Sequence, residues 1–272
     1  MKMDLLNSSS DGYSVQDASV YQDQNSDRLQ YNSSKVPMSL MTPNSNYSVF
    51  ENAGIYHNQI LNTLIQCEGG IHYVTLTSIP DQFGRDIVNA VMAGEQKQIF
   101  PIGSTAIMQG VMNNFSNAKD LQSCINIFKS AFDRCRVNTS YANTSLVSLL
   151  SIAYYSSMYW SSAVVTDEYS VVNGSNHIYN QGPGSNPHPQ YLPKWLNNLI
   201  NWFNGNKKVI SADIMGFATG VSIGAISGPW AIAAGVGLGA IGSWGESAPL
   251  NPNHNGNNAY SLYQNAYQII AP

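Results

Sequence analysis

A chain of 272 residues with a hydrophobic fraction of 43% can bury a substantial core. Only 10% of its residues are charged, against about 25% in a typical soluble domain, so Asn, Ser, Gln and Tyr must carry the surface. A net charge of −4 with twelve basic residues builds no field for nucleic-acid phosphates, which argues against nucleic acid as a partner.

The remaining charge is unevenly placed. The densest basic spot, Lys207-Lys208, reads as a solvated helix end, and beyond it the only charged residues are Asp213 and Glu246. Burial, self-association or membrane contact would each suit such a C-terminal third. Cys67, Cys124 and Cys135 make no disulfide framework. On one continuous helix, Cys124 and Cys135 lie three turns apart, beyond the reach of about 7 Å that a disulfide allows. The opening MKMDLLNSSSDGYS lacks the apolar run of a secretory signal. Location stays open between the cytoplasm and export by a specialised route.

The pattern predicts a mostly α fold: a single helical domain with a close-packed glycine-rich hairpin and a flexible N-terminal arm. Residues 1–48, rich in Ser, Asn, Asp and Gln, read as a flexible or surface-draped polar arm, and residues 49–272 as the helical domain. A first helix starts near Asn52, with Ile55, Ile60, Leu61, Leu64 and Cys67 on its apolar stripe. Gly69-Gly70 ends it, and the β-branched run 71–79 reads as a short strand. Pro80 opens a second helix that Gly94 would close. Further helices are expected around 104–115, 118–135 and 142–165, and a loop or linker near 171–191, where Gly and Pro cluster. Helical spacing resumes after Pro193, with Trp195 and Trp202 on one side, and Gly205 is expected to stop it.

The stretch 212–245 holds Gly216, Gly220, Gly224 and Gly228 at four-residue spacing, then Gly235 and Gly239. A step of four keeps such glycines on one slowly turning ribbon of a helix. Each weakens an isolated helix by about 1 kcal/mol relative to alanine, a loss that close backbone approach must offset. Gly228-Pro229 is a natural break between two helices. Each arm spans about 23 Å, short of the roughly 20 residues a bilayer span needs. A buried hairpin is therefore favoured over a permanent span, with conditional insertion and oligomerisation left as alternatives.

At these residues the chain resembles a family of uncharacterised bacterial proteins, chiefly of Bacteroidetes. Those proteins join a Gly-x-x-His-Asn-x-x-Leu element to a later Ala-Asp-x-x-Gly opening of a glycine- and alanine-rich tail. Here the matching residues are Gly54, His57, Asn58 and Leu61, then Ala212, Asp213 and Gly216. Trp230 and Trp244 depart from the usual tail. The resemblance implies a bacterial origin, and no activity or catalytic residue.

Chemical candidates are few. His57 and Asn58 are either a base with its hydrogen-bonding neighbour or a network fastening the first helix to Asp213, and a lone His-Asn pair favours the network. Cys67 and His72 could meet across Gly69-Gly70 as thiol and base, though no third group or oxyanion hole is identified. Five histidines without H-x-x-x-H or C-x-x-C spacing predict no metal site. The glycines match neither a phosphate loop nor a dinucleotide fingerprint, so no cofactor and no specific small molecule is expected. The expectation is a non-catalytic helical protein acting through a protein partner or self-association. Two alternatives stand beside it: a bacteriocin-like or pore-forming toxin inserting 212–245, and a cysteine-dependent enzyme using Cys67 and His72.

Overall fold

The computed structural model describes residues 28–67, 71–75, 82–165, 194–223 and 229–247. In chain order these form β1 (Arg28–Asn32), α1 (Ala53–Cys67), β2 (Ile71–Thr75), α2 (Gln82–Gln96), α3 (Ser104–Asn117), α4 (Leu121–Arg136), α5 (Ser145–Ala163), β3 (Val164–Val165), α6 (Lys194–Ile223) and α7 (Pro229–Ser247). The domain is mostly α, with seven packed helices among the described residues. β1 is the middle strand, antiparallel to β2 from Arg28↔Thr75 to Asn32↔Ile71 and to β3 at Tyr31↔Val164.

The polar arm expected over 1–48 needs correction in its second half. Residues 28–32 are the central strand, and two short 3-10 turns follow at Ser33–Lys35 and Met38–Leu40. Val36 and Leu40 join the core. The polar residues that suggested a loose arm instead close turns. Asn52 donates to the carbonyls of Asn44 (3.0 Å) and Tyr47 (3.1 Å) and accepts from Asn44 N at 2.9 Å. Ser48 and Glu51 cap each other reciprocally, Ser48 N to Glu51 Oε2 at 2.8 Å and Glu51 N to Ser48 Oγ at 3.4 Å. The chain thereby enters α1 at a set angle.

α5 explains the centre of the fold. Every residue from Leu146 to Ala153 is buried, as a charge-free helix whose only polar residues in that stretch are small serines allows. α1, α4 and α6 pack around it. α4 buries Leu121, Cys124, Phe128, Ala131, Phe132 and Cys135 on one face, and Asp120 caps it by accepting from Ser123 N at 2.6 Å. Cys124 and Cys135 are free, and burial raises both thiols, Cys124 to about 12.

α6 departs from the expected stop at Gly205, because it runs unbroken through that glycine. A helix-interior glycine costs about 1 kcal/mol, and the burial of Val209, Ile210, Ile214, Phe217, Ala218 and Val221 beyond it outweighs that cost. α6 and α7 then lie against each other. A methyl group added at Gly216 would stand 2.6 Å from Leu238 O and 2.8 Å from Gly239 Cα. One added at Gly235 would stand 2.7 Å from the Phe217 ring. The helices therefore touch backbone to backbone at Gly216 and side chain to backbone at Gly235.

Candidate functional site

Among the described residues, a concentrated group of buried polar side chains lies where α1, α5 and α6 meet. Asp213 of α6 places Oδ1 2.8 Å from His57 Nε2 of α1. Its Oδ2 accepts from Trp160 Nε1 at 3.0 Å and from the Ser156 hydroxyl, both on α5. Ser156 and Trp160 are four residues apart and so share a helix face, which brings both donors to one oxygen. His57, Asn58, Ser156, Trp160 and Asp213 are each 0% exposed.

Hydrogen bonding assigns the charge on His57. Asn58 Nδ2 donates to Leu40 O and to Tyr155 O, both at 3.1 Å. That orientation turns Asn58 Oδ1 toward His57 Nδ1 at 3.2 Å. Both ring nitrogens then face acceptors, an arrangement that favours the doubly protonated imidazolium beside Asp213. Burial alone pushes the ring toward its neutral form. The Asp213 charge and the hydrogen bonds to Asp213 and Asn58 overcome it and hold the His57 pKa above its usual 6.5.

Close approach elsewhere admits this group. A methyl group on Gly239 of α7 would sit 2.9 Å from Asp213 O and 3.4 Å from His57 Cδ2. At Gly54 an added methyl group would strike the Ser151 carbonyl of α5. There α5 supplies a serine ladder to the start of α1: Gly54 N donates to Ser151 Oγ at 3.0 Å, and Ser151 Oγ to Glu51 O at 2.7 Å. Ser148 Oγ donates to Phe50 O at 3.1 Å. One N–H that the start of α1 leaves without a helical partner, and two carbonyls just before it, are thus satisfied from a neighbouring helix.

No family model, curated protein or solved structure matches this chain. The site has to be read from its own chemistry. In a serine–histidine–carboxylate triad the hydroxyl gives its proton to a histidine that the carboxylate orients. Here Ser156 bonds to the carboxylate, and His57 reaches Asn58 and Asp213 instead. That connectivity clamps three helices together.

The structure gathers His57, Asn58, Asp213, Gly216 and Gly239 in one place, with Gly220 and Gly235 farther along the same α6–α7 contact. Pro229 is the first residue of α7. Gly224 and Gly228 lie outside the described residues, as do the expected loop at 171–191 and residues 1–27. Cys67 ends α1 and His72 pairs with Tyr31 in the sheet, but their side chains, like those of Trp195, Trp202, Trp230 and Trp244, lie outside the described ones. Among the described residues, no three His, Cys, Asp or Glu side chains are grouped to hold a metal.

Sequence reasoning missed Ser156, Trp160, Ser148 and Ser151. Their signal was serine recurring inside SLVSLLSIAYYSSMYW, an otherwise apolar helix, because buried hydroxyls must find partners.

Proposed function

We propose that this chain is a non-catalytic helical protein acting through protein–protein contacts, self-association included, with the glycine-rich hairpin as its internal scaffold. The observation that carries the proposal is the buried clamp of His57, Asp213, Ser156 and Trp160. Its acid–base groups are sealed from solvent and engaged in joining helices, which favours architecture over turnover. The glycines at 216, 220, 235 and 239 have α6–α7 neighbours within the same chain, so they serve the scaffold, and contacts fall to other surfaces. Uncharged amides at exposed positions such as Gln109, Asn113, Asn114, Gln122 and Asn126 suit hydrogen-bonded association with little salt dependence.

Sedimentation velocity of the full chain over a wide concentration range tests self-association. The expected result is reversible association that added salt barely changes. A single species at every concentration would remove self-association from the proposal. Iodoacetamide labelling with peptide mapping tests the thiol enzyme: faster labelling of Cys67 than of Cys124 and Cys135 would favour that alternative.

Conditional membrane insertion is a second reading, favoured by the exposed Leu238 on α7, whose only charged residue is Glu246. Among the described residues no helix is long and apolar enough to cross a membrane. Dye release from vesicles by purified protein would favour insertion, and intact vesicles would count against it.

A further inference from the structure

Ile102, 90% exposed, is the most exposed large apolar side chain among the described residues, and Val137 is 71% exposed. The fold carries both to one end of the helical bundle. Residues 118–120 alone join α3 to α4, and the two helices pack on each other, so they run antiparallel. The turn before α3, which holds Ile102, therefore meets the turn after α4, which holds Val137. The contact is close: a methyl group on Gly103 would stand 2.8 Å from the Tyr141 hydroxyl.

A single exposed aliphatic needs no explanation, but Ile102 sits on a fixed backbone. Before it, Gln98 takes φ 61° and closes α2 through Gln98 N to Glu95 O at 3.0 Å and Ile99 N to Gly94 O at 2.9 Å. After it, Gly103 N and Thr105 N donate to the Glu95 carboxylate, and the Ser104 hydroxyl donates to Pro101 O at 2.6 Å. Asn143, in the second turn, also has a positive φ, so every described residue with one lies in these two turns. Residues other than glycine hold that conformation at a cost in strain. The loop cannot fold over Ile102 without breaking these bonds.

Charge decides what these tips would meet. Lys97, beside the first turn, and Arg134, in the last turn of α4, are exposed and pair with no acid among the described residues. The acids nearby are engaged: Glu95 as above, Glu51 with Arg136 at 3.6 Å, and Asp133 with Arg136 and Lys129. We propose that this end of the bundle seats the protein on an anionic lipid surface, with Ile102 and Val137 entering between headgroups and Lys97 and Arg134 drawn to lipid phosphates. Apolar tips flanked by cations match such a surface in both chemistry and sign. A second copy meeting end to end would set cation against cation. The tips are also separated by the exposed Asn138, Thr139 and Ser140, and make no continuous patch near the roughly 800 Å² that each partner of a stable protein interface buries. Seating leaves the α6–α7 hairpin packed and does not depend on self-association.

The full chain is sedimented with vesicles of mixed phosphatidylcholine and phosphatidylglycerol, and with vesicles of phosphatidylcholine alone. The expected result is binding to the anionic vesicles that falls with added salt, and little binding to the neutral ones. Lys97→Ser and Arg134→Ser should each weaken binding about fivefold, and Ile102→Ser about tenfold. Lys119→Ser, in the turn at the opposite end of α3, should leave it unchanged. No binding to anionic vesicles, equal binding to both kinds, or undiminished binding by Ile102→Ser would overturn the proposal. Circular dichroism of each variant accompanies the assay, and Val137→Ser gives the same reading should Ile102→Ser disturb the fold.

Discussion

Gly220 of α6 faces Gly235 of α7 so closely that a methyl group on Gly220 would stand 3.0 Å from the Gly235 Cα. At Gly216 the neighbour is the Leu238 carbonyl oxygen, at 2.6 Å. Helix propensity alone would have alanine stabilise either position by about 1 kcal/mol. Overpacking opposes it and costs about 1–3 kcal/mol. Gly216→Ala is therefore expected to destabilise. Gly110 of α3, exposed and with no atom within 4 Å of an added methyl group, is the control, and its change to alanine should stabilise by about 0.4–1 kcal/mol. Urea unfolding of both variants decides the matter. Stabilisation by Gly216→Ala would refute a backbone contact there.

Glu95, near the end of α2, caps the start of α3. Its carboxylate accepts from Gly103 N at 2.9 Å, Thr105 N at 2.7 Å and the Thr105 hydroxyl at 2.6 Å. The Thr105 hydroxyl and the backbone donors of Gly103 and Thr105 hold the Glu95 pKa below its ordinary value. Glu95→Ala is expected to cost about 1 kcal/mol, the usual loss of a helix cap. Hydrogen exchange should speed up first at the amides of Gly103 and Thr105. Unchanged exchange there would mean that the cap contributes nothing in solution.

The charge on His57 makes stability depend on pH in a definite direction. Its folded-state pKa is raised, so the folded chain binds the proton more tightly than the unfolded chain does. That contribution is fully present below about pH 6.5, the unfolded value, and is lost as pH rises through the higher folded pKa. The Tyr159 hydroxyl, pushed upward by burial and the Asp213 charge, stays out of this window. The expected result is a falling urea midpoint on the alkaline side in the parent chain and a flatter profile in His57→Gln. Equal slopes in the two proteins would place the protonation elsewhere.

Much of the helical frame was legible in local pattern. The α4 face follows directly from its spacing, and Asp120 stands where a cap belongs. His57 and Asn58 stood out as an adjacent pair able to hydrogen-bond, and Asp213 as one of only two charges beyond Lys208. Their connection was harder to see, since Ser156 and Trp160 lie 57 and 53 residues from Asp213 and no local spacing relates them. Residues 28–48 misled because turn-closing amides such as Asn44 and Asn52 have the same composition as a loose arm. Gly205 misled because tertiary burial beyond it overrides propensity.

The clamp itself is tested most directly by a double-mutant cycle on His57 and Asp213 in unfolding free energy. Removing one partner of a buried ion pair costs about 3–5 kcal/mol, because the other is left charged and unpaired. Asp213→Ala and His57→Ala are each expected to cost that much. The double variant should cost less than their sum, by a coupling of about 0.5–3 kcal/mol. Strictly additive losses, or single losses no larger than those of exposed residues, would contradict a clamp joining α1 to α6.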